Sequence, residues 1–146
     1  MYIRSVSILL LYNSKGEVLL QHRDLKAQYY PGYWGFFGGG IEANETPEEA
    51  IKREAKEELQ LKLDNIKLFK RYEIKEEDGI RERFLYLLPT KMTLSQLKSR
   101  QQEGDGIGFF SLRKVKKIKM NPHTRFIFDE IEEYFRKKDV TTHFVL

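Results

Sequence analysis

The fold is decided by residues 38–61, GGGIEANETPEEAIKREAKEELQL, in which a triple glycine leads into an acidic helix. Thr46 suits the N-cap, Pro47 suits the first helical position, and Glu49 completes a capping box with the threonine. Good helix formers then continue to about Gln60. The stretch therefore predicts a helix that follows a glycine-rich loop, and such a loop lets the backbone approach a ligand closely.

Three carboxylates recur on this helix at positions i, i+3 and i+4, those of Glu54, Glu57 and Glu58. At ~3.6 residues per turn they share one face. Like charges at this spacing destabilise a helix by roughly 0.2–0.5 kcal/mol per pair. A divalent cation would offset that repulsion, since Mg²⁺ and Mn²⁺ prefer oxygen ligands and can bind beside a phosphate. The alternative is a solvated helix face, because lysine and arginine alternate with the acids here.

The spacing of these residues resembles the Nudix box, G-x5-E-x7-R-E-U-x-E-E-x-G-U, where U is a bulky apolar residue. Six positions match in identity and a seventh matches in type: Gly39, Glu45, Arg53, Glu54, Glu57, Glu58 and the apolar Leu61. Two positions depart from the pattern, because Ala55 is smaller than the usual aliphatic residue and Gln60 replaces a glycine. That glycine would take a left-handed C-cap conformation. Gln60 either takes it at modest strain or lets the helix run slightly longer.

The resemblance implies an α+β fold, the Nudix α/β/α sandwich with a mixed β-sheet. Hydrophobic patterning and turn signals predict the other elements in the same order. They predict strands at residues 4–11, 18–20, 66–75, 82–88 and 107–112, a short helix near 94–98 and a last helix near 122–137. The aromatic and glycine-rich residues 24–40 predict flexible backbone. Strands that alternate with helices in this way indicate a sheet packed between helices.

The same resemblance assigns a metal site. It implies Mg²⁺ or Mn²⁺ as cofactor, held by Glu54, Glu57 and Glu58 with the backbone carbonyl of Gly38. The metal would polarise a diphosphate and lower the pKa of the attacking water, and a carboxylate would accept the proton. The general base is either a helix glutamate, Glu54 or Glu57, or Glu103 in the loop before the last strand. An ordinary turn residue is the other interpretation of Glu103.

The remaining site residues of the resemblance serve structure or substrate binding. Gly39 belongs to the loop, and Arg53 would pair with Glu45 to hold that loop against the helix, a role for which a planar guanidinium is suited. Arg23 is either a phosphate contact or a surface arginine. Tyr30 and Tyr33 are candidates for stacking on a base, an interaction of about 1–3 kcal/mol in nucleic-acid binders.

Composition bounds these hypotheses. The 146 residues (17.4 kDa) fit a single Nudix domain, residues 1–146. With 40% hydrophobic and 33% charged residues, the composition is globular rather than disordered. The absence of cysteine excludes disulfides and thiolate zinc sites and agrees with a cytoplasmic location. The sequence shows neither a signal peptide nor an apolar run of about 18 residues, so no membrane partner is expected.

The net charge of +4 favours anionic partners. The basic run at residues 113–119 is expected to be a solvated connector, with polyphosphate or RNA binding as the alternative. We expect a nucleotide as small-molecule substrate, no stable nucleic-acid partner, and a homodimer as one oligomeric state. The leading hypothesis is a nucleoside triphosphate pyrophosphohydrolase, with oxidised nucleotides among its substrates. Alternatives are nucleotide sugars, ADP-ribose, dinucleoside polyphosphates, or a catalytically silent domain that binds a nucleotide or RNA.

Overall fold

The computed structural model describes residues 2–102 and 104–138, which form seven strands and four helices. The strands are β1 (Tyr2–Tyr12), β2 (Val18–His22), β3 (Trp34–Gly35), β4 (Phe37–Gly40), β5 (Leu68–Glu76), β6 (Gly79–Pro89) and β7 (Gly106–Phe110). The helices are α1 (Pro47–Leu59), α2 (Leu94–Lys98), α3 (Leu112–Val115) and α4 (Phe126–Lys138). No helix among these residues is long and apolar enough to cross a membrane.

The strands form one mixed sheet in the order β3-β2-β1-β6-β5, with β4 beside β1 and β7 beside β2. β1 runs parallel to β6 and antiparallel to β2 and β4. The β1–β2 register consists of the Tyr12–Val18 pair, whereas residues 6–9 of β1 pair with β4. The sheet therefore opens between β1 and β2, and the glycine-rich β4 bonds to the edge of β1 that this opening leaves.

Each face of the sheet is covered by a helix. On one face, Ile51, Ala55 and Leu59 of α1 pack in a buried cluster with residues of β1, among them Leu9 and Leu11. On the other face, α4 contributes a second buried cluster that also contains side chains of β1, β5 and β6. Side chains alternate between the two faces along a strand, so one strand supplies both clusters. The predicted α/β/α sandwich with a mixed sheet is confirmed.

The ends of α1 follow the signals in the sequence. Thr46 accepts a hydrogen bond from the Glu49 backbone N–H, and the Glu49 side chain accepts one from the Thr46 N–H, which completes the capping box. The helix ends at Leu59, and Gln60 takes the left-handed conformation with φ 53° and ψ 37°. Of the two outcomes expected for Gln60, the structure shows the strained C-cap rather than a longer helix.

We expect Gln60→Gly to stabilise the protein. A left-handed conformation costs a residue with a Cβ roughly 1–2 kcal/mol, whereas the greater freedom of glycine in the unfolded chain offsets about half of this gain. The free energy of unfolding, measured in urea, should rise by up to about 1 kcal/mol. Gln102 is exposed and its φ is not positive, so Gln102→Gly should lower stability instead. A loss of stability in Gln60→Gly would contradict the assigned strain.

Two predictions about local structure are wrong in the centre and at the end of the chain. Residues 24–40 were expected to have flexible backbone, yet their last part forms β3, which pairs with β2, and β4, which pairs with β1. The glycines of β4 have no side chains that could show an alternating pattern. The last helix was expected from residue 122 but begins at Phe126. Residues 122–125 form a turn that is held by Asn121, whose Oδ1 accepts from the His123 N–H at 2.9 Å.

A third correction concerns the end of the strand that precedes the basic run at residues 113–119. The strand expected to reach residue 112 ends at Phe110, and Leu112 begins the short helix α3. Ser111 caps this helix, because its side chain accepts from the Lys114 N–H. Arg125 then donates to the carbonyl oxygens of Val115 and Ile118 at 3.0 and 2.8 Å, which ties the connector to the start of α4.

Candidate active site

A cavity of about 620 Å³ lies against the face of the sheet that α4 covers. Its volume falls within the range of about 300–1,000 Å³ that is usual for ligand sites. The three glycines of β4 and the box residues Glu54 and Glu58 line one part of it. Glu76, Arg81 and Arg83 line another part, together with Arg23 and Tyr30 from the segment after β2. The cavity thus joins the glycine strand to charged residues of β5 and β6.

The glycine strand lies in direct contact with two carboxylates of α1. The Gly38 N–H donates to Glu58 Oε1 at 2.8 Å, and Glu58 is buried. A Cβ at Gly39 would lie 2.5 Å from Glu54 Oε1, so the Glu54 carboxylate covers that glycine. Gly38 has a φ of +129°, a conformation that favours glycine. The absence of side chains in β4 is therefore what allows Glu54 and Glu58 to approach its backbone.

Arg53 connects the loop before α1 to the acidic face of the helix. Its Nε donates to Glu45 Oε2 at 2.7 Å and its Nη2 donates to Glu45 Oε1 at 3.0 Å. Nη2 also donates to the Gly40 carbonyl at 3.0 Å. Nη1 donates to Glu54 Oε1 at 2.9 Å and to Glu57 Oε2 at 3.4 Å. One guanidinium therefore holds the loop in a bidentate grip and partly neutralises two of the three clustered carboxylates.

This contact changes the ionisation of Glu45. The hydrogen bond from Arg53 and the one from the Glu42 backbone N–H hold the pKa of the Glu45 carboxyl below its ordinary value. The same contact with Glu45 raises the pKa of Arg53 above its ordinary value, although burial acts in the opposite direction. Both groups are therefore charged at neutral pH.

Because the folded pKa of Glu45 is depressed, its contribution to stability is present above its unfolded pKa of about 4.3 and is lost as the pH falls through the folded value. We expect Glu45→Gln to lower the free energy of unfolding at pH 7 and to make its decline below pH ~4 shallower than in the wild type. Urea unfolding at several pH values between 7 and 3 measures both effects. Glu132→Gln is the control, because the Glu132 side chain on α4 is 42% exposed, and it should keep the slope of the wild type. An unchanged slope in Glu45→Gln would contradict this role.

The structure does not bring all the residues that the sequence singled out into the cavity. Arg23 and Tyr30 line it, and Arg23 Nε donates to the Tyr29 carbonyl at 2.7 Å. The Glu57 side chain is 58% exposed and does not line the cavity. Tyr33 also lies outside the lining, where Lys119 Nζ sits 4.6 Å from the centre of its ring. Glu103 is outside the described residues, so its role stays a prediction.

The donor atoms around the cavity determine whether a metal ion can bind there. Among residues 2–102 and 104–138, no three histidine, cysteine or acidic side chains converge closely enough to hold a metal ion. Glu54 and Glu58 nevertheless lie one helical turn apart on the cavity, beside the Gly38 backbone, and both are largely buried. Two like charges at this spacing repel each other, and oxygen donors suit a hard divalent cation. The residues that are present therefore fit Mg²⁺ or Mn²⁺.

The charged residues that line the cavity from β5 and β6 were not anticipated from the sequence. The Glu76 side chain is 2% exposed; it accepts from Arg83 Nη2 at 2.8 Å and from the Tyr30 hydroxyl at 3.0 Å. Burial raises the pKa of Glu76, but the contacts with Arg83, Tyr30 and Arg81 together outweigh burial and hold the pKa below its ordinary value. Burial and the bond to Glu76 raise the pKa of Tyr30 to about 12. The sequence did contain a signal for their position. Arg81 and Arg83 lie at a spacing of two residues from the buried Leu85, so in a strand they share its face of the sheet.

Comparison with known families matches residues 1–131 to the NUDIX domain. Because this match covers most of the chain, the protein belongs to the Nudix family. The nucleoside triphosphatase NudI of an Enterobacter species is 28% identical over 129 residues, which cover 82% of this chain and 91% of NudI. An 8-oxo-dGTP diphosphatase of Haemophilus influenzae is 34% identical over 79 residues, 54% of this chain and 57% of that protein.

Other relatives match over a shorter part of their length. An uncharacterised Nudix hydrolase of Pseudomonas aeruginosa is 43% identical over 54 residues, and this covers 36% of the chain and 32% of that relative. Among solved structures, the MutT protein of Methanosarcina mazei Go1 superposes with a TM-score of 0.72 at 18% identity, over 90% of this chain and 94% of that one. Similarity at this level of identity supports the fold alone.

Proposed function

We propose that the protein is a metal-dependent hydrolase that cleaves the diphosphate linkage of a nucleotide, and that it converts nucleoside triphosphates, oxidised ones included, to monophosphates. The observation that carries the proposal is the contact of Glu54 and Glu58 with the glycine strand at the wall of a ligand-sized cavity. The NUDIX match and the nucleoside triphosphatase relatives support the class of reaction.

The site residues have two proposed roles, which are to bind the metal ion and to contact the phosphates of the substrate. A bound Mg²⁺ or Mn²⁺ would neutralise the diphosphate and lower the pKa of the attacking water. Glu54 and Glu58 would hold this ion, with Glu57 as a third ligand and the Gly38 carbonyl nearby. Arg23, which lines the cavity, would contact a phosphate through the part of its guanidinium that does not bind Tyr29.

Proton transfer needs a base within reach of the water, and three carboxylates are candidates. Glu54 lines the cavity, Glu57 is more exposed, and Glu103 lies in the loop before β7. Arg53 Nη1 donates to Glu54 Oε1 at 2.9 Å. Tyr30 is the aromatic candidate for stacking on the nucleobase of the substrate, because Tyr30 lines the cavity and Tyr33 does not.

The homodimer stays a prediction.

The experiment is a hydrolysis panel with the full chain. Release of phosphate or pyrophosphate is measured for nucleoside triphosphates, 8-oxo-dGTP, nucleotide sugars, ADP-ribose and dinucleoside polyphosphates. Each reaction is run with Mg²⁺, with Mn²⁺ and with excess EDTA. We expect metal-dependent production of monophosphate and pyrophosphate from triphosphates. Nucleotide binding without turnover of any member would instead support a catalytically silent domain, and equal rates in EDTA would contradict the role of the metal.

A further inference from the structure

Arg83 faces the same cavity as the box glutamates but lies two strands away from the glycines. Val6 of β1 is in register with Gly40 on one side and with Arg83 on the other. Adjacent strands are about 4.8 Å apart, so Arg83 lies on the order of 10 Å from Gly40 across the face of the sheet. A nucleotide whose phosphates lie at the glycine strand would extend its sugar and base across Val6 toward Arg83.

The Arg83 guanidinium is largely buried and has N–H donors without a partner among the described residues. Its side chain is only 13% exposed, and within the described chain its single hydrogen bond runs from Nη2 to Glu76 Oε2. Its Nε is buried and has no hydrogen-bond partner among the described residues. Burial lowers the pKa of Arg83. An arginine carries five N–H donors and no acceptor, so acceptor groups of a ligand in this part of the cavity would complete its hydrogen bonding.

Glu76 cannot supply acceptors to the ligand, because its oxygens are already occupied. Oε1 accepts from the Tyr30 hydroxyl at 3.0 Å and from Asn121 Nδ2 at 3.4 Å. Oε2 lies 2.8 Å from Arg83 Nη2 and 3.1 Å from Arg81 Nη1. A carboxylate has about four lone-pair sites, and four donors are present. Glu76 therefore holds Arg83 in place but leaves the recognition of a ligand to it.

The surroundings of Arg83 favour a flat heterocycle over a second phosphate. Val6, Phe36 and Met120 line the same cavity and offer apolar contact surface. The Glu76 carboxylate pairs with Arg81 and Arg83 and offsets part of their positive charge, which weakens the attraction of this part of the cavity for a further phosphate. Arginine forms a bidentate pair with the carbonyl and ring nitrogen of guanine, whereas an exocyclic amino group would set donor against donor.

We propose that Arg83 reads the edge of the nucleobase and selects bases that present a carbonyl oxygen over bases that present an amino group at the same position. Glu76 is the positioning residue that orients Arg83. The inference rests on the proposed function, because it assumes that the phosphates of the substrate lie at the glycine strand.

The test compares substrates that differ in this exocyclic group and in the protonation of the ring nitrogen beside it. ITP and ATP form one pair, UTP and CTP the other, and kcat/KM is measured for each with the wild type. We expect the carbonyl member to be preferred by roughly 10-fold or more in the pair whose ring size fits the cavity. Arg83→Gln should bring the ratio close to one, because an amide both donates and accepts hydrogen bonds, and the larger loss of kcat/KM should fall on the carbonyl member of the pair. Arg83→Lys, which keeps the charge but loses the planar fork, should retain only part of the preference.

The control is Arg71→Gln, an arginine of β5 that does not line the cavity, and it should keep the wild-type ratio. Wild-type ratios within about 2-fold in both pairs would overturn the inference and leave the proposed function intact. A preference for dinucleoside polyphosphates that is lost in Arg83→Gln would show that Arg83 binds a phosphate, which also overturns it. If no nucleotide is hydrolysed, the proposed function fails, and calorimetric affinities for IMP and AMP decide whether Arg83 distinguishes the two bases.

Discussion

Replacing Glu54 with glutamine should lower kcat by about 100-fold or more, because a neutral amide neither neutralises a divalent cation nor accepts a proton. The amide oxygen can still accept from Arg53 Nη1, which donates to Glu54 Oε1 at 2.9 Å in the wild type. Stability should therefore change by less than about 1 kcal/mol. The measurement is kcat on the best substrate of the hydrolysis panel, with urea unfolding of the same preparation.

The matched control is Glu48→Gln, in the first turn of the same helix, where the side chain is 53% exposed and pairs with Lys52. It should leave kcat within about 2-fold of wild type, as expected for an exposed pair. Glu57→Gln and Glu58→Gln are expected to abolish turnover as well. If the three box variants keep the kcat of the wild type, as Glu48→Gln should, then this face of the helix does not bind the catalytic metal ion.

Gly38→Ala should be severely destabilising, lowering the free energy of unfolding by about 3 kcal/mol or more. Two causes add up. A residue with a Cβ is strained at φ +129°, and that Cβ would collide with the Ser7 carbonyl oxygen and lie 2.8 Å from Ile8 Cα. These are backbone atoms of the central strand, so they cannot move aside as a flexible side chain could. Urea unfolding followed by circular dichroism measures the loss.

Gly35→Ala provides the comparison, because a Cβ there would meet Arg23 Cδ at an ordinary 3.8 Å. It lies in β3, a strand of the same sheet, and should change stability by less than about 1 kcal/mol. Equal stability of the two alanine variants would show that β4 does not approach β1 as closely as described. A stable Gly38→Ala protein that has lost only activity would likewise contradict the steric argument.

The sequence predicted the parts of the fold whose signals are local. The capping box of α1 needs only Thr46 and Glu49, and the apolar stripe needs only a spacing of four residues, so both can be recognised without tertiary information. β4 could not be predicted in this way. Its glycines carry no side chains to alternate, and it is a strand only because β1 lies beside it.

The residues of the site were likewise predicted only where the signal is local in the sequence. Glu54 and Glu58 were found because the box places them at a fixed spacing on one helix. Arg83 was not found, because its position at the cavity depends on the pairing of β6 with β1, which sets Arg83 opposite Val6 from a distant part of the chain. A charged residue in a strand is usually solvent-exposed. Its alternation with Leu85 and Leu87 could have shown that Arg83 faces inward.

The parallel pairing of β1 with β6 also has a consequence for how the protein folds. Ser5 and Glu82, which are joined across these strands by a hydrogen bond of 2.7 Å, are 77 residues apart in the chain. Pairing of such distant segments is slow, because the loop must close before the contacts form. During synthesis the box helix and its glycines emerge well before β6 carries Arg83 into place. At that stage the chain would contain the box glutamates but not Arg83. The proposed selection among nucleobases would therefore arise only when β6 pairs with β1.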